Sequence, residues 1–402
     1  MSRLGVACAG GFRAAAIALF LGSLVALAAC TPGGGGSGPR PQAGNAPVTG
    51  ETIGSGNIRV ALLLPLSATG NTGQSALAMR NAAELAVRDF QSAGIQILVK
   101  DDRGTPEGAR AAASSAIAEG AELILGPVNS ASVTAAAGVA RGANVPVIGF
   151  STDAAVAGPG VYLLSFLPQS DVERIVAYAA SRGKRSVAAL LPATAYGTVV
   201  EAALQRSVAN AGGRVMAIER YALDRVAMQE RANAIVALAR SGTIDTIFMP
   251  DAGDAVPFLA QVLAAGGVSS AQITYLGSGQ WDDPRIVAES TLNGSWYPGP
   301  EASGFATFAR RYQAAFGSPP VRTAALVYDA TSLAAGLASR FGDQRFSQQT
   351  LTNPNGFIGV DGAFRFLQNG LNQRGLAVYE IKGGQAVIVE PAPKTFARVP
   401  GT

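Results

Sequence analysis

The chain has 402 residues and a formal charge of +4, with 48% apolar and 14% charged residues. That is ample material for one or two packed cores, and it excludes a largely disordered chain. No histidine is present, which removes Ser-His-Asp and Cys-His catalysis and every imidazole metal site.

The first elements in chain order are an address and a tether. Arg3 and Arg13 precede an apolar stretch over 14–29, the layout of an export signal that is short for a membrane span. The cysteines are Cys8 and Cys30, so no disulfide or thiol is available to anything that follows. Leu27-Ala28-Ala29-Cys30 resembles a bacterial lipobox, which implies cleavage before Cys30 and acylation of its thiol. A plain secretory signal is the other reading. Thr31, where inner-membrane retention favours Asp, implies the outer membrane by the same resemblance. Residues 31–57 begin Thr-Pro-Gly-Gly-Gly-Gly and read as a flexible tether with a reach of about 30 Å. Leaving out Arg3 and Arg13, the remainder carries about +2 with no dense basic run, so nucleic acid is not an expected partner.

From Ile58 onward, short apolar runs alternate with amphipathic stretches. Ile58–Pro65 reads as a buried strand, and 74–93 as a helix with Ala78, Ala82, Leu85, Ala86 and Phe90 on one face. Arg80, Glu84 and Arg88 form a charged ladder on another face. Strands follow at 95–100, 123–125 and 145–150. Thr105-Pro106-Glu107 starts one helix, 130–141 is a second, and Ser170 with Glu173 is a capping box for a third that runs to Ser181. A second series places strands at 186–191, 214–221, 244–249, 273–277 and 292–297. Helices lie near 195–211, 228–240, 253–265 and 283–289, then 303–316 and 322–341. The tail is strand-like at 363–366, 376–381 and 386–390. This alternation predicts an α/β fold of two doubly wound, Rossmann-like lobes, with ligands outside the carboxyl ends of the strands.

The loops at those strand ends carry further signals: Pro65-Leu66-Ser67, Asp101-Asp102-Arg103-Gly104-Thr105-Pro106-Glu107, Gly126-Pro127-Val128-Asn129-Ser130, Phe150-Ser151-Thr152-Asp153 and Tyr196-Gly197. In this order, over about 58–390, they resemble the type I periplasmic binding proteins, whose best-known members bind leucine, isoleucine and valine. Within that superfamily Val60-Ala61-Leu62-Leu63-Leu64-Pro65-Leu66-Ser67 looks most like the penicillin-binding protein activator lipoproteins. Tyr275-Leu276-Gly277-Ser278 through Trp281 agrees with that branch. The resemblance implies crossovers near 167, 299 and 343, with lobe 1 at about 58–167 and 300–342 and lobe 2 at about 168–299 and 343–391. It also implies a non-catalytic, periplasm-facing lipoprotein without a cofactor that stimulates a peptidoglycan synthase by contact. The alternative it leaves open is the substrate-binding lipoprotein of an importer for an amino acid or similar small polar ligand.

Candidate cleft residues follow from position. Ser67 and Thr69 follow the first strand. Asn129, Ser130 and Ser132 open a helix, whose free N–H groups suit a carboxylate, although such residues also cap helices. Ser151 and Thr152 lie on the loop that the resemblance assigns to a ligand carboxylate, while Asp153 caps a turn or joins them. Tyr196 closes over a ligand or packs as a helix-start aromatic. Asp251 and Asp254 hold an ammonium or are solvated loop acids. Trp281 is a cleft wall, a protein contact or core. No metal site is expected. Ser181-Arg182-Gly183-Lys184 matches a Ser-x-x-Lys string, but Gly183 ends the helix between its two ends. Gly277-Ser278-Gly279 lacks a third glycine, because Asp282 stands there.

Overall fold

Apolar runs bounded by turn residues become the strands of two mainly parallel sheets, and the amphipathic segments between them cover both faces. The computed structural model describes residues 46–396. The export segment, Cys30 and the Gly-rich start of the tether lie outside the described residues.

In the first lobe the elements are β1 (Thr52–Ile53), β2 (Ile58–Leu64), α1 (Gly70–Asp89), β3 (Ile95–Asp101), α2 (Pro106–Ala118), β4 (Leu123–Leu125), α3 (Ser130–Gly142), β5 (Val147–Gly149) and β6 (Val161–Leu163). The sheet order is β1-β3-β2-β4-β5-β6, parallel except for β1 against β3. Val60 to Leu64 is wholly buried because helices lie on both faces. Thr105 starts α2 as expected, its hydroxyl accepting the Gly108 N–H at 3.0 Å, with Pro106 in the first turn. Glu84 pairs with both Arg80 and Arg88 along α1.

Three expectations change here. Phe90 lies past the end of α1 and is exposed, so it does not extend the buried face. Strand β6 was not among the expected strands, although Gly158-Pro159-Gly160 marks a turn directly before it. The expected tether also ends earlier than residue 57. Thr52–Ile53 pairs with β3, Ala46 donates to the Ala118 carbonyl, and Lys100 Nζ donates to the Thr49 carbonyl at 2.7 Å. Lys100 also binds Glu119 at 2.7 Å, with both side chains buried, so this ion pair helps hold the segment to the lobe.

The second lobe contains α4 (Pro168–Ser181), β7 (Ser186–Pro192), α5 (Ala195–Asn210), β8 (Arg214–Tyr221), α6 (Arg225–Arg240), β9 (Thr246–Phe248), α7 (Ala255–Ala265), β10 (Thr274–Leu276), α8 (Pro284–Val287) and β11 (Trp296–Gly299). The chain then returns to the first lobe with α9 (Ala302–Phe316), α10 (Ala324–Arg340), α11 (Gln348–Leu351), β12 (Phe357–Gly359), β13 (Gly362–Phe366) and β14 (Asn372–Arg374). It crosses back for β15 (Ala377–Lys382) and β16 (Gln385–Glu390), giving the order β16-β15-β11-β10-β9-β7-β8.

The capping box at Ser170 does not form. Helix α4 starts three residues earlier, with Leu167 in the cap position, no side-chain cap and Pro168 in the first turn. The fixed φ of proline sets the helix start there. The third crossover lies between Arg374 and Ala377 rather than near 343. Phe346, Leu351, Phe364 and Phe366 pack with Tyr162 and α10 in the first-lobe core, while Ala377, Tyr379 and Ile381 join the second. The aromatic side chains fill a face that α10 leaves open, and the end of α10 gives no reason to leave the lobe.

Candidate functional site

The carboxyl ends of both sheets bear most of the predicted site residues, but in different states. In the first lobe, Ser67 and Thr69 are exposed. Ser67 donates its N–H to Asp101 Oδ1 at 3.3 Å, and Arg103 donates to the same oxygen at 2.9 Å. Burial pushes the Asp101 carboxyl up, but these hydrogen bonds and that of the Ser67 side chain carry it below the usual carboxylate range. Its neighbour Asp102 is buried and pushed up to about 6 by desolvation, against one hydrogen bond from the Gly104 N–H. Thr69 occupies the cap position of α1 without capping it.

Asn129 holds the cap position of α3, again without a side-chain cap, and its Nδ2 reaches the Gly104 carbonyl at 3.4 Å. Ser130 is half-buried, and its carbonyl accepts the Thr134 hydroxyl. Ser132, in the first turn, is buried and its Oγ has no partner. A buried hydroxyl without a partner is costly, so this position is open to an additional polar group. Ser151 is buried, its carbonyl accepts Ser165 Oγ at 2.7 Å, and its own Oγ accepts the Asp153 N–H. Thr152 is exposed beside it. Asp153 caps the short turn Ala154–Val156 through the Ala155 N–H.

In the second lobe the corresponding groups pair with one another. Thr194 caps α5 and sets Tyr196 in its first turn. Tyr196 donates its hydroxyl to Ser278 Oγ at 3.1 Å, and Ser278 donates onward to the Pro250 carbonyl at 3.2 Å. Tyr221, at the end of β8, donates to Asp251 Oδ2 at 2.7 Å, and Asp251 Oδ1 accepts the Ala252 N–H. Burial, with Asp171 and Asp251 nearby, pushes the Tyr196 phenol up to about 12, and burial with Asp251 pushes Tyr221 higher still. Both phenols therefore stay neutral donors.

Two expected members stand apart from this group. Asp254 is exposed and pairs with Arg285 at 3.1 Å. Trp281 is wholly buried, with Nε1 donating to the Met249 carbonyl at 2.8 Å, so it is core rather than cleft wall or contact surface. Gly277 makes room for it, since a Cβ there would sit 2.1 Å from the indole. Ser181 Oγ donates to the Tyr178 carbonyl and Gly183 turns at φ 83°, which separates the Ser-x-x-Lys string.

The crossovers hold a polar group that the sequence reading missed. Arg374 is buried, and its Nε donates to the Ser165 carbonyl at 3.1 Å while both terminal nitrogens lack partners. The guanidinium groups of Arg374 and Arg322 both lie over the Phe166 ring, at 4.6 Å and 4.9 Å from its centroid. Arg322 pairs with Asp361 through both terminal nitrogens. Burial pushes Asp171 and Asp329 each up to about 7, although Arg374 and a backbone N–H favour their ionised forms. The available signal was Asp329 itself, the one acid in the Ala-rich helix α10.

Residues 57–386 match the family model described as periplasmic binding protein. The chain belongs to that family. No curated protein matches this periplasmic binding protein. A branched-chain amino acid ABC transporter candidate from Rhodospirillum rubrum is 20% identical, covers 83% of this chain and 99% of its own, and superposes with a TM-score of 0.73. An ABC transporter substrate-binding protein from Desulfitobacterium hafniense, solved with Leu, is 17% identical over 83% and 99% of the two chains, with a TM-score of 0.58. A solute-binding protein from Rhodopseudomonas palustris, solved with 3,4-dihydroxybenzoic acid, is 20% identical over 86% and 99%, with a TM-score of 0.56. The shared fold is the type I periplasmic binding protein of the leucine-binding kind, and the family places such proteins in the cell envelope. No helix among the described residues is long and apolar enough to cross a membrane.

Proposed function

We propose that this periplasmic binding protein is the substrate-binding lipoprotein of an importer, anchored through Cys30, and that it takes a small polar ligand bearing a carboxylate. The observation that carries this reading is Ser132. Its buried Oγ has no partner in the first turn of α3, where backbone N–H groups also favour an anion. Ser130, Ser151, Thr152 and Asn129 surround the same strand ends. In the second lobe Asp251, fixed by Tyr221, and the Tyr196–Ser278 pair would take the ligand's ammonium or hydroxyl. Leucine and 3,4-dihydroxybenzoic acid, the ligands named for two similar structures, are both carboxylic acids. Ligand binding would bias the lobes toward closure, and the closed form would be the one a permease recognises. Neither the hydroxyls nor the acids need act as nucleophile or base, so the reading is non-catalytic.

One observation favours a second reading, activation of a peptidoglycan synthase by contact. Several strand-end groups are already satisfied within the protein: the Ser67 N–H by Asp101, Tyr196 by Ser278, and Asp251 by Tyr221. A fixed docking surface needs no vacant cleft, and the Val60–Ser67 sequence resembles the activators. An outer-membrane anchor, as Thr31 implies, would suit this role better than import.

Calorimetric titration of the full chain with amino acids and aromatic carboxylates separates the two. Micromolar binding of one compound, weakened at least about tenfold by Asp251→Asn, is the expected result. Silence across the panel, together with stimulation of a purified peptidoglycan synthase, would transfer the assignment to the second reading.

A further inference from the structure

The end of the second lobe away from the strand-end loops gathers cations that no acid matches. Parallel strands β7, β8 and β9 all begin there, and helices α4, α5 and α6 all end there. Arg182, Lys184 and Arg185 fill the turn before β7, Arg206 lies near the end of α5, Arg214 opens β8, and Arg240 ends α6. None of the six pairs with a carboxylate among the described residues. Arg185 and Arg240 donate to the Ala211 and Gly266 carbonyls, and Arg182 lies over the Tyr178 ring. Asp245 is the acid at this end, and it is occupied by the N–H groups of Arg185 and Ser186 and by the Thr246 hydroxyl.

Complementing helix dipoles accounts for Arg182 and Arg240, which sit at the ends of α4 and α6. It does not account for Lys184, Arg185 and Arg214, which lie on a loop and at strand starts. The local surplus exceeds the whole surplus of the body, about +2, so the charge is segregated rather than merely present. Beside these cations runs β8, an unpartnered edge strand whose Met216 is 44% exposed. Among the cations no exposed aromatic ring offers a stacking platform for a base.

We propose that this pole of the second lobe docks on a membrane surface of anionic lipid headgroups. Long cationic side chains spread over this end match a fluid array of phosphates, and Met216 supplies an apolar contact at headgroup depth. A soluble polyanion would gain nothing from Met216. The corresponding end of the first lobe is more nearly balanced, since there Arg345 pairs with Glu122 and Arg311 with Asp89.

Co-sedimentation of the full chain with phosphatidylcholine vesicles, with and without phosphatidylglycerol, tests this. The quantity read is the binding that the anionic lipid adds, which cancels apolar insertion common to both vesicles. That increment is expected to fall as salt is raised. It should drop at least about a hundredfold for Lys184→Glu/Arg185→Glu/Arg214→Glu, and about fivefold for Lys184→Gln alone. The matched triple Arg110→Glu/Arg141→Glu/Arg310→Glu changes net charge equally but lies on the first lobe, and should shift the increment less than about threefold. Absence of an increment, or equal losses from both triples, would overturn the proposal. So would binding to soluble polyphosphate without binding to anionic vesicles. If the triple reversal fails to fold, Lys184→Gln and Arg214→Gln carry the same test.

Discussion

In the first lobe Lys100, Arg311 and Arg345 are each matched by a carboxylate, and one strand-end hydroxyl, Ser132, is left without a partner. The second lobe reverses this arrangement: its strand-end groups satisfy one another, while the cations at its opposite pole pair with no carboxylate among the described residues. The sheets are built alike, so the difference does not arise from the fold. It lies in which loop residues follow the strands and which precede them. A doubly wound lobe thus offers two independent ends, one for a ligand and one for a surface, and sequence can specialise each separately.

The largest expected effect follows from Trp281. If it is core, Trp281→Ala should cost about 3–5 kcal/mol in urea denaturation, with the loss confined to the second lobe. A cost under about 1 kcal/mol would restore the cleft-wall reading. Removing one partner of the Lys100–Glu119 pair comes next. Lys100→Ala leaves Glu119 buried without its cation and should destabilise the first lobe by about 3–5 kcal/mol. It should also release residues 46–53 to proteolysis, which Trp281→Ala should not do.

A pH dependence sharpens the comparison at the junction between lobes. Asp171 and Asp329 each sit near 7, and Asp102 near 6, all above the unfolded value. The folded state therefore holds more protons than the unfolded state over roughly pH 4 to 7. These groups contribute stability that is full below about pH 4 and is lost as the pH rises through 6 to 7. Carboxyls shifted the other way, such as Asp101 and Glu84, act below that window. Melting temperature should fall between pH 5 and pH 8, and Asp329→Asn should flatten part of the fall. A melting temperature that rises over that range would contradict the assignment. The smallest effect belongs to the surface: Glu84→Gln, which removes two i,i+4 pairs on α1, should cost less than about 1 kcal/mol.

The architecture was largely legible because its signals are local. Val60–Leu64 is apolar without alternation, as a strand buried on both faces must be, and Thr105-Pro106 marks a helix start by its own chemistry. What was not legible depends on distant partners. Thr52–Ile53 is a strand only because β3 lies beside it. Phe364 and Phe366 belong to the first lobe because Tyr162 and α10 leave a face for them. Of the candidate site residues, Ser132, Ser151, Tyr196 and Asp251 could be placed by counting from strand ends. Asp254 and Trp281 satisfied the same count, but an arginine and a glycine far or near in sequence gave them other work. Arg374 was invisible because its partner carbonyl, Ser165, is more than half the chain away.

The central claim is that both lobes serve one small ligand. Hydrogen–deuterium exchange of the full chain, with and without the carboxylate that binds in titration, tests it directly. Amides at 130–133 and 151–153 should slow together with those at 195–198 and 251–253. Protection confined to one lobe, or no change in either, would contradict a ligand held between the strand ends.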